Sequence, residues 1–490
     1  MVFSKRNILN STAALALILF GLLLFWLFWL KADWPAGGQD SWNHYLYARF
    51  AGKHTFLFGE QWGKPFFTLI AWPFARFGIQ GVYLMNTLCV LLTAWFCYLT
   101  AQRLNMRLSW LAALFFIFQP IVFGNTISGL TEPLNALFLI VILYLLASQR
   151  FTAAAVCTSF LPFFRSEGFV LMVAIAFYYI IKRRWRQLPW LFSGTVVLAI
   201  LGAALSGDVG WILTHNPYYK AEVEKRFDPG HGEFLHYANS FKQIWGIVVV
   251  LLAGLAFVML IAHTVYLLQR KTPEEKSRFG YWLLIPLFLS FFFAHSWLWY
   301  TGSYGSHGLI RVFLMVAPVT ALLAQYATDK LLSVEIKWFT RIFVSTMLLS
   351  VVYYAYKGSG TPWPWKSAPS VAAFPGEPQI KKAVDFIHSQ NLHRKILLHQ
   401  LPWLNAQLNL DPWEEPSKAQ TYYIWSIDKQ PGKDWMPDST VVLWDNFHAR
   451  RDAPMPLADM RKLTEYKELA YFPATDTIYD VRVFLKVKKQ

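Results

Sequence analysis

The chain begins "MVFSKRNILNSTAALALILFGLLLFWLFWLK", Met1 to Lys31. Two cations, Lys5 and Arg6, precede about twenty apolar residues, the length that crosses a ~30 Å hydrocarbon core. A secretory leader also starts with cations, but its apolar segment is shorter and ends at a small-residue cleavage motif. No such motif follows Leu30. The stretch reads as a retained first helix with its N-terminal end in the cytoplasm.

Comparable apolar runs recur at 81–101, 109–124, 132–148, 152–163, 167–181, 189–206, 243–268, 280–300, 309–327 and 338–356. At ~20 residues per crossing these predict about eleven transmembrane helices. Runs 152–163 and 167–181 are too short to cross upright, and they are expected to form a shallow hairpin surrounded by protein. Charged residues are only 15% of the chain, against roughly 25% in soluble proteins. The formal charge of +16 would suggest nucleic acid on a soluble protein. Here much of it lies in short inter-helix loops, among them Lys182, Arg183, Arg184 and Arg186, where it sets orientation. No nucleic-acid motif accompanies it, so no nucleic-acid partner is expected. Cys89, Cys97 and Cys157 all lie inside apolar runs, which excludes a disulfide framework in the polar parts.

The positive-inside rule puts the long segments 32–80 and 207–242 on the outer side, together with the tail from 357. The tail changes character. "GSGTPWPWKSAPS" is a linker, "PQIKKAVDFIHSQ" has the period of an amphipathic helix, and "KILLHQ", "TVVLWD", "ELAYFPA" and "YDVRVFLKV" read as strands. Two domains are expected: a membrane domain over 1–356 and a small extracytoplasmic α/β domain over 357–490.

Charged residues at span edges are costly and mark function by default. Asp40, in "QDSWNHYLYAR", is a candidate general base or a helix-capping acid, with Asp33 as its rival. Glu132, in "SGLTEPL", suits either a site or the start of a helix whose dipole favours an acid. In "FFRSEGF", Arg165 and Glu167 are either a mutual ion pair or a phosphate-binding Arg with its orienting acid. Arg311, after the glycines of "GSYGSHGLIR", either snorkels or holds a lipid phosphate. Lys64 adds a cation before an expected interfacial helix over 65–77. The loop residues His215, Tyr218, His231, Glu233 and His236 carry no zinc-site spacing.

Taken in order along three quarters of the chain, these stretches resemble the GT-C superfamily of polytopic glycosyltransferases, nearest in look to bacterial mannosyltransferase-like members. The resemblance rests on an acid in the first outer loop, then "SGLTEPL", "RSEG", a long outer loop, the Gly-rich turn with Arg311, and a soluble outer domain. It implies a GT-C-like polytopic α-helical fold in a bacterial inner membrane. The donor would be a polyprenyl-phosphate hexose, mannose favoured, and the acceptor a glycan or glycolipid. Asp40 and Glu132 would be catalytic, with Arg311, Arg165 and Lys64 on the donor phosphate and His44, Glu167 and His307 in support. Many relatives pair two acids in the first loop, but here Ser41 and Trp42 follow Asp40. A reaction without metal or other cofactor is therefore favoured over one using a divalent ion. A lipid-linked glycan flippase would instead carry internal repeats and mid-membrane charges, and a ligase or polymerase would use a diphosphate-linked donor.

The orientation is testable by labelling. A cysteine placed at Ser370 should react with an impermeant thiol reagent in cells lacking an outer barrier. Labelling only after permeabilisation would reverse the orientation.

Overall fold

The computed structural model describes residues 5–29, 37–217, 230–267, 275–304, 306–333, 337–358, 376–399, 401–415, 420–423, 436–451 and 455–487. The chain falls into two compact units, both discontinuous. The first joins Met1–Gly37 to Thr55–Val371, and the second joins Gly38–His54 to Ala372–Gln490. This differs from the expected 1–356 and 357–490, because residues 38–54 pack with the C-terminal unit.

The first unit is helical and is that of an integral membrane protein. Among the described residues five helices are long and apolar enough to cross a membrane: Ile8–Leu27, Ile79–Arg103, Trp185–Ser206, Ser277–Thr301 and Ile310–Leu332. Several runs expected to cross whole are shorter pieces. Run 109–124 splits into Leu111–Ile117 and Pro120–Asn125. The cause is Pro120, which lacks an N–H and pushes Gln119 into an extended conformation (φ −66°, ψ 131°). Around the break the Gln119 N–H donates to the Phe116 carbonyl at 3.2 Å, and its fully buried side-chain amide donates to the Ala317 carbonyl at 3.0 Å. The expected hairpin forms Phe151–Thr158, Leu161–Phe164 and Gly168–Ile181.

Helix ends follow the sequence. Pro133 occupies the first turn of Glu132–Ala147, where a missing N–H costs nothing. Gly302 closes Ile285–Thr301 in the left-handed region (φ 65°), a conformation without steric penalty only for glycine. The segment expected as loop 32–80 holds a helix, Gly38–Phe50, a 3-10 turn, Thr55–Gly59, and a second helix, Pro65–Ala75.

The second unit carries a five-stranded sheet. Its strands are β1 (Leu397–His399), β2 (Thr421–Tyr423), β3 (Val441–Asp445), β4 (Tyr466–Phe472) and β5 (Val481–Lys486), in the order β2-β1-β3-β5-β4. β1 pairs in parallel with β2 and β3, while β3–β5 and β5–β4 are antiparallel. β1 and β3 are buried along their whole length, as central parallel strands covered on both faces must be. Helix Glu377–Ser389 packs on β4 and β5 and buries Ile380, Ala383, Val384 and Ile387, the i, i+3, i+4, i+7 stripe of an amphipathic helix.

A buried histidine ties the end of β1 to the next segment. The Leu401 N–H donates to His399 Nδ1 at 2.9 Å, so the ring proton sits on Nε2 and faces Asn405 Oδ1 and Thr421 Oγ1, each at 2.8 Å. Burial pushes the imidazole down to about 4 from its ordinary 6.5. The unfolded chain therefore binds more protons between these values. The stability contributed by the neutral ring is complete above pH 6.5, falls as pH drops towards 4, and levels off below. Amide protection of β1 and residues 401–407, corrected for intrinsic exchange, should follow that window in the full-length protein. His399→Gln should flatten it.

Candidate active site

A charged cluster lies in the membrane unit. Glu132 is the first residue of Glu132–Ala147 and is fully buried. Its Oε1 lies 3.0 Å from Arg165 Nη1 and 3.4 Å from Arg311 Nε. Arg165 also donates through Nη1 to Thr131 Oγ1 at 3.0 Å and through Nη2 to Glu167 Oε1 at 2.7 Å. The hairpin tip, the start of one helix and the 3-10 turn Ile310–Val316 thus meet on one carboxylate. A charge this deep persists only when paired.

Arg311 further donates through Nη1 to the Gly37 carbonyl at 3.4 Å. Gly37 holds a positive φ of 84°, and a Cβ there would lie 2.5 Å from the Leu130 side chain. Glycine is therefore required for this carbonyl to reach Arg311. Lys64 is 4% exposed and reaches Ser166 Oγ at 3.5 Å. Its backbone sits at φ 62°, a left-handed conformation that costs a non-glycine residue roughly 1–3 kcal/mol and concentrates at functional sites. Lys64 also acts electrostatically on Glu167. Three cations (Lys64, Arg165, Arg311) thus gather around two carboxylates (Glu132, Glu167), and two of the three are guanidiniums, the donors best shaped for a planar or tetrahedral anion.

Two residues that sequence reasoning passed over join this cluster. His295, buried in Ile285–Thr301, lies within electrostatic reach of Glu167 and Arg165. Tyr237 lies within reach of Glu167, and its ring is 5.9 Å from that of His295. The signal for His295 was present: a lone polar pair, His295-Ser296, interrupts "SFFFAHSWLWY". Beside them Tyr237, Phe241, Trp245, Phe288, Phe291 and Phe313 form a continuous aromatic wall, with ring centroids 4.5–6.4 Å apart.

Asp40 and His44 belong to the other unit. Asp40 lies in the first turn of Gly38–Phe50, where the helix dipole favours a carboxylate, and His44 is buried one turn on. Asp40 is thus helical rather than in a loop. His307 sits in the turn before Arg311 at φ 52°. Of the three glycines expected to open that turn, Gly302 and Gly308 hold positive φ. Gly305, Asp33 and Tyr218 lie outside the described residues.

No family model and no curated protein matches the sequence. The fold does match a solved structure. ArnT from Cupriavidus metallidurans, in a crystal structure bound to undecaprenyl phosphate, superposes with a TM-score of 0.60 at 14% identity, over 98% of this chain and 100% of that one.

The shared carboxylate makes a test. Arg165→Ala leaves Glu132 with only the longer contact to Arg311 and should destabilise the protein by roughly 3–5 kcal/mol, the usual cost of breaking a buried pair. Adding Glu167→Ala should not restore stability, because Glu132 remains. Thermal unfolding of the single and double variants reads this directly, and full rescue would reduce Arg165 to a partner of Glu167.

Proposed function

We propose that the protein is an inverting glycosyltransferase that moves a sugar from a polyprenyl monophosphate carrier to an acceptor hydroxyl. The observation that carries the reading is the buried cluster of two guanidiniums and a lysine beside a group of aromatic rings. A lipid phosphate has an anionic headgroup for the first and an apolar tail for the second. The fold likeness to ArnT, whose crystal structure holds undecaprenyl phosphate, supports the same donor class.

In this reading Asp40 takes the proton from the acceptor hydroxyl, whose oxygen forms a bond to the anomeric carbon. The bond from that carbon to the phosphate oxygen breaks on the opposite face, and the lipid phosphate leaves as an anion held by Arg311, Arg165 and Lys64. Glu132 holds the two guanidiniums in register, a positioning part rather than a chemical one. Glu167, His44 and His307 support the site. The reading includes a hexose donor, mannose favoured, a glycan or glycolipid acceptor, and no cofactor. It also includes about eleven crossings of a bacterial inner membrane, a cytoplasmic N-terminus and an outer tail.

Purified protein given a panel of undecaprenyl-phosphate sugars should release undecaprenyl phosphate and transfer the sugar. Movement of intact lipid across vesicles without cleavage would instead make it a flippase. Asp40→Asn should lower kcat by about 10²–10⁴ with little change in donor binding. Arg311→Lys loses bidentate grip and should lower kcat/KM roughly tenfold to a hundredfold. Activity within about threefold of the parent for either variant would remove that residue from its role.

A further inference from the structure

We propose that the C-terminal unit holds the Asp40 helix in place through Trp413, Asp411 and Trp403, which makes these three positioning residues. The inference rests on Asp40 being the base.

The helix Gly38–Phe50 is gripped at both ends by residues of its own unit. At its start the backbone N–H of Trp403 donates to Gln39 Oε1 at 3.4 Å, one residue from Asp40. At its end the Trp413 ring meets Tyr47 edge-on with centroids 4.8 Å apart, and Phe50 at 6.2 Å. Just beyond the helix, His54 Nε2 and Lys53 Nζ lie 2.8 and 3.0 Å from Asp411 Oδ2, and Lys53 also pairs with Glu414. Asp411 Oδ1 accepts from the Trp413 N–H at 3.0 Å. One aspartate therefore shapes the turn that presents the tryptophan and also binds the chain leaving the helix. A 13-residue helix is about 20 Å long. Contacts at both ends of such a rod fix its rotation about its axis, which sets where Asp40 points.

The contacts differ in weight. Lys53 is half exposed, and exposed ion pairs contribute little. His54 and Asp411 are 14% and 10% exposed, and an aromatic contact exceeds its buried area in value. Trp413 and the Asp411–His54 pair therefore dominate.

The grip is itself anchored. Helix Pro402–Gln407 packs on Gly38–Phe50. Asn405, in that helix, accepts from His399 and from Thr421 Oγ1, each at 2.8 Å. A continuous path of buried polar contacts thus runs from β1 and β2 to the segment that holds Gln39. Simple burial of an apolar helix face would need neither the Asp411 turn nor this network.

The test is hydrogen–deuterium exchange of the full-length protein, with turnover measured alongside on the undecaprenyl-phosphate sugar panel. Trp413→Ala should raise exchange of the 38–50 amides about tenfold or more, leaving Glu132–Ala147 and Ile79–Arg103 unchanged. Its kcat should fall at least about tenfold with donor KM within about twofold, because the base is misaimed while the phosphate site is intact. Trp413→Phe should recover most of both. Asp411→Asn, which keeps volume, should raise the same exchange about threefold or more and guards against misfolding of the alanine variant. Unchanged exchange over 38–50 in both variants would overturn the grip. Raised exchange with unaltered kcat would overturn the positioning role. Exchange needs no turnover, so a parent protein that releases no lipid phosphate sinks the functional reading while the grip is judged separately.

Discussion

Glu132 is the pivot of the membrane unit. A carboxylate with no exposure is tolerated in an apolar bundle only because two guanidiniums reach it. Those guanidiniums come from the hairpin tip and from the 3-10 turn that begins Ile310–Leu332, so one ion fixes three elements that are distant in sequence. The dependence is mutual. Without Glu132, Arg165 and Arg311 would repel one another. The carboxylate offsets that repulsion and holds both guanidiniums in fixed positions.

The cluster borders apolar rings. The rings around Phe313 begin two residues after Arg311, so charge and apolar surface adjoin within one turn of chain. Lys64 holds a strained backbone, and Gly37 occupies a place where a side chain would meet Leu130. Strain at a residue beside an ion cluster is what a site under positional demand looks like.

The legible part of this protein was its charge pattern. In a chain so poor in charge, Glu132, Arg165, Glu167 and Arg311 stand out because each sits where solvation is expensive. The Arg165–Glu167 pair is two residues apart and could be read directly. The Arg165–Glu132 and Arg311–Glu132 pairs could not, because no local rule joins residues that meet only through helix packing. His295 escaped because a histidine among aromatics also reads as a packed core residue. In the tail, β3 and β5 announced themselves by runs of β-branched and aromatic residues, whereas β2, three residues long, carries too little pattern to separate from loop. The break at Gln119 was written in Pro120, but hydropathy alone passes over it. The membership of residues 38–54 in the C-terminal unit is a fact of tertiary contact, invisible to any window along the chain.

That membership bears on how the protein is made. The Gly38–Phe50 helix leaves the ribosome early, near the first membrane segment, while Trp403, Asp411 and Trp413 are among the later residues synthesised. All of Thr55–Val371 is made between them. During that interval the helix has none of its tail partners, and its mixed polar and aromatic faces must be borne by water, lipid or a chaperone. The contacts of this helix with Trp403, Asp411 and Trp413 therefore form only after that segment has been synthesised, and a chain interrupted before it leaves the helix without them.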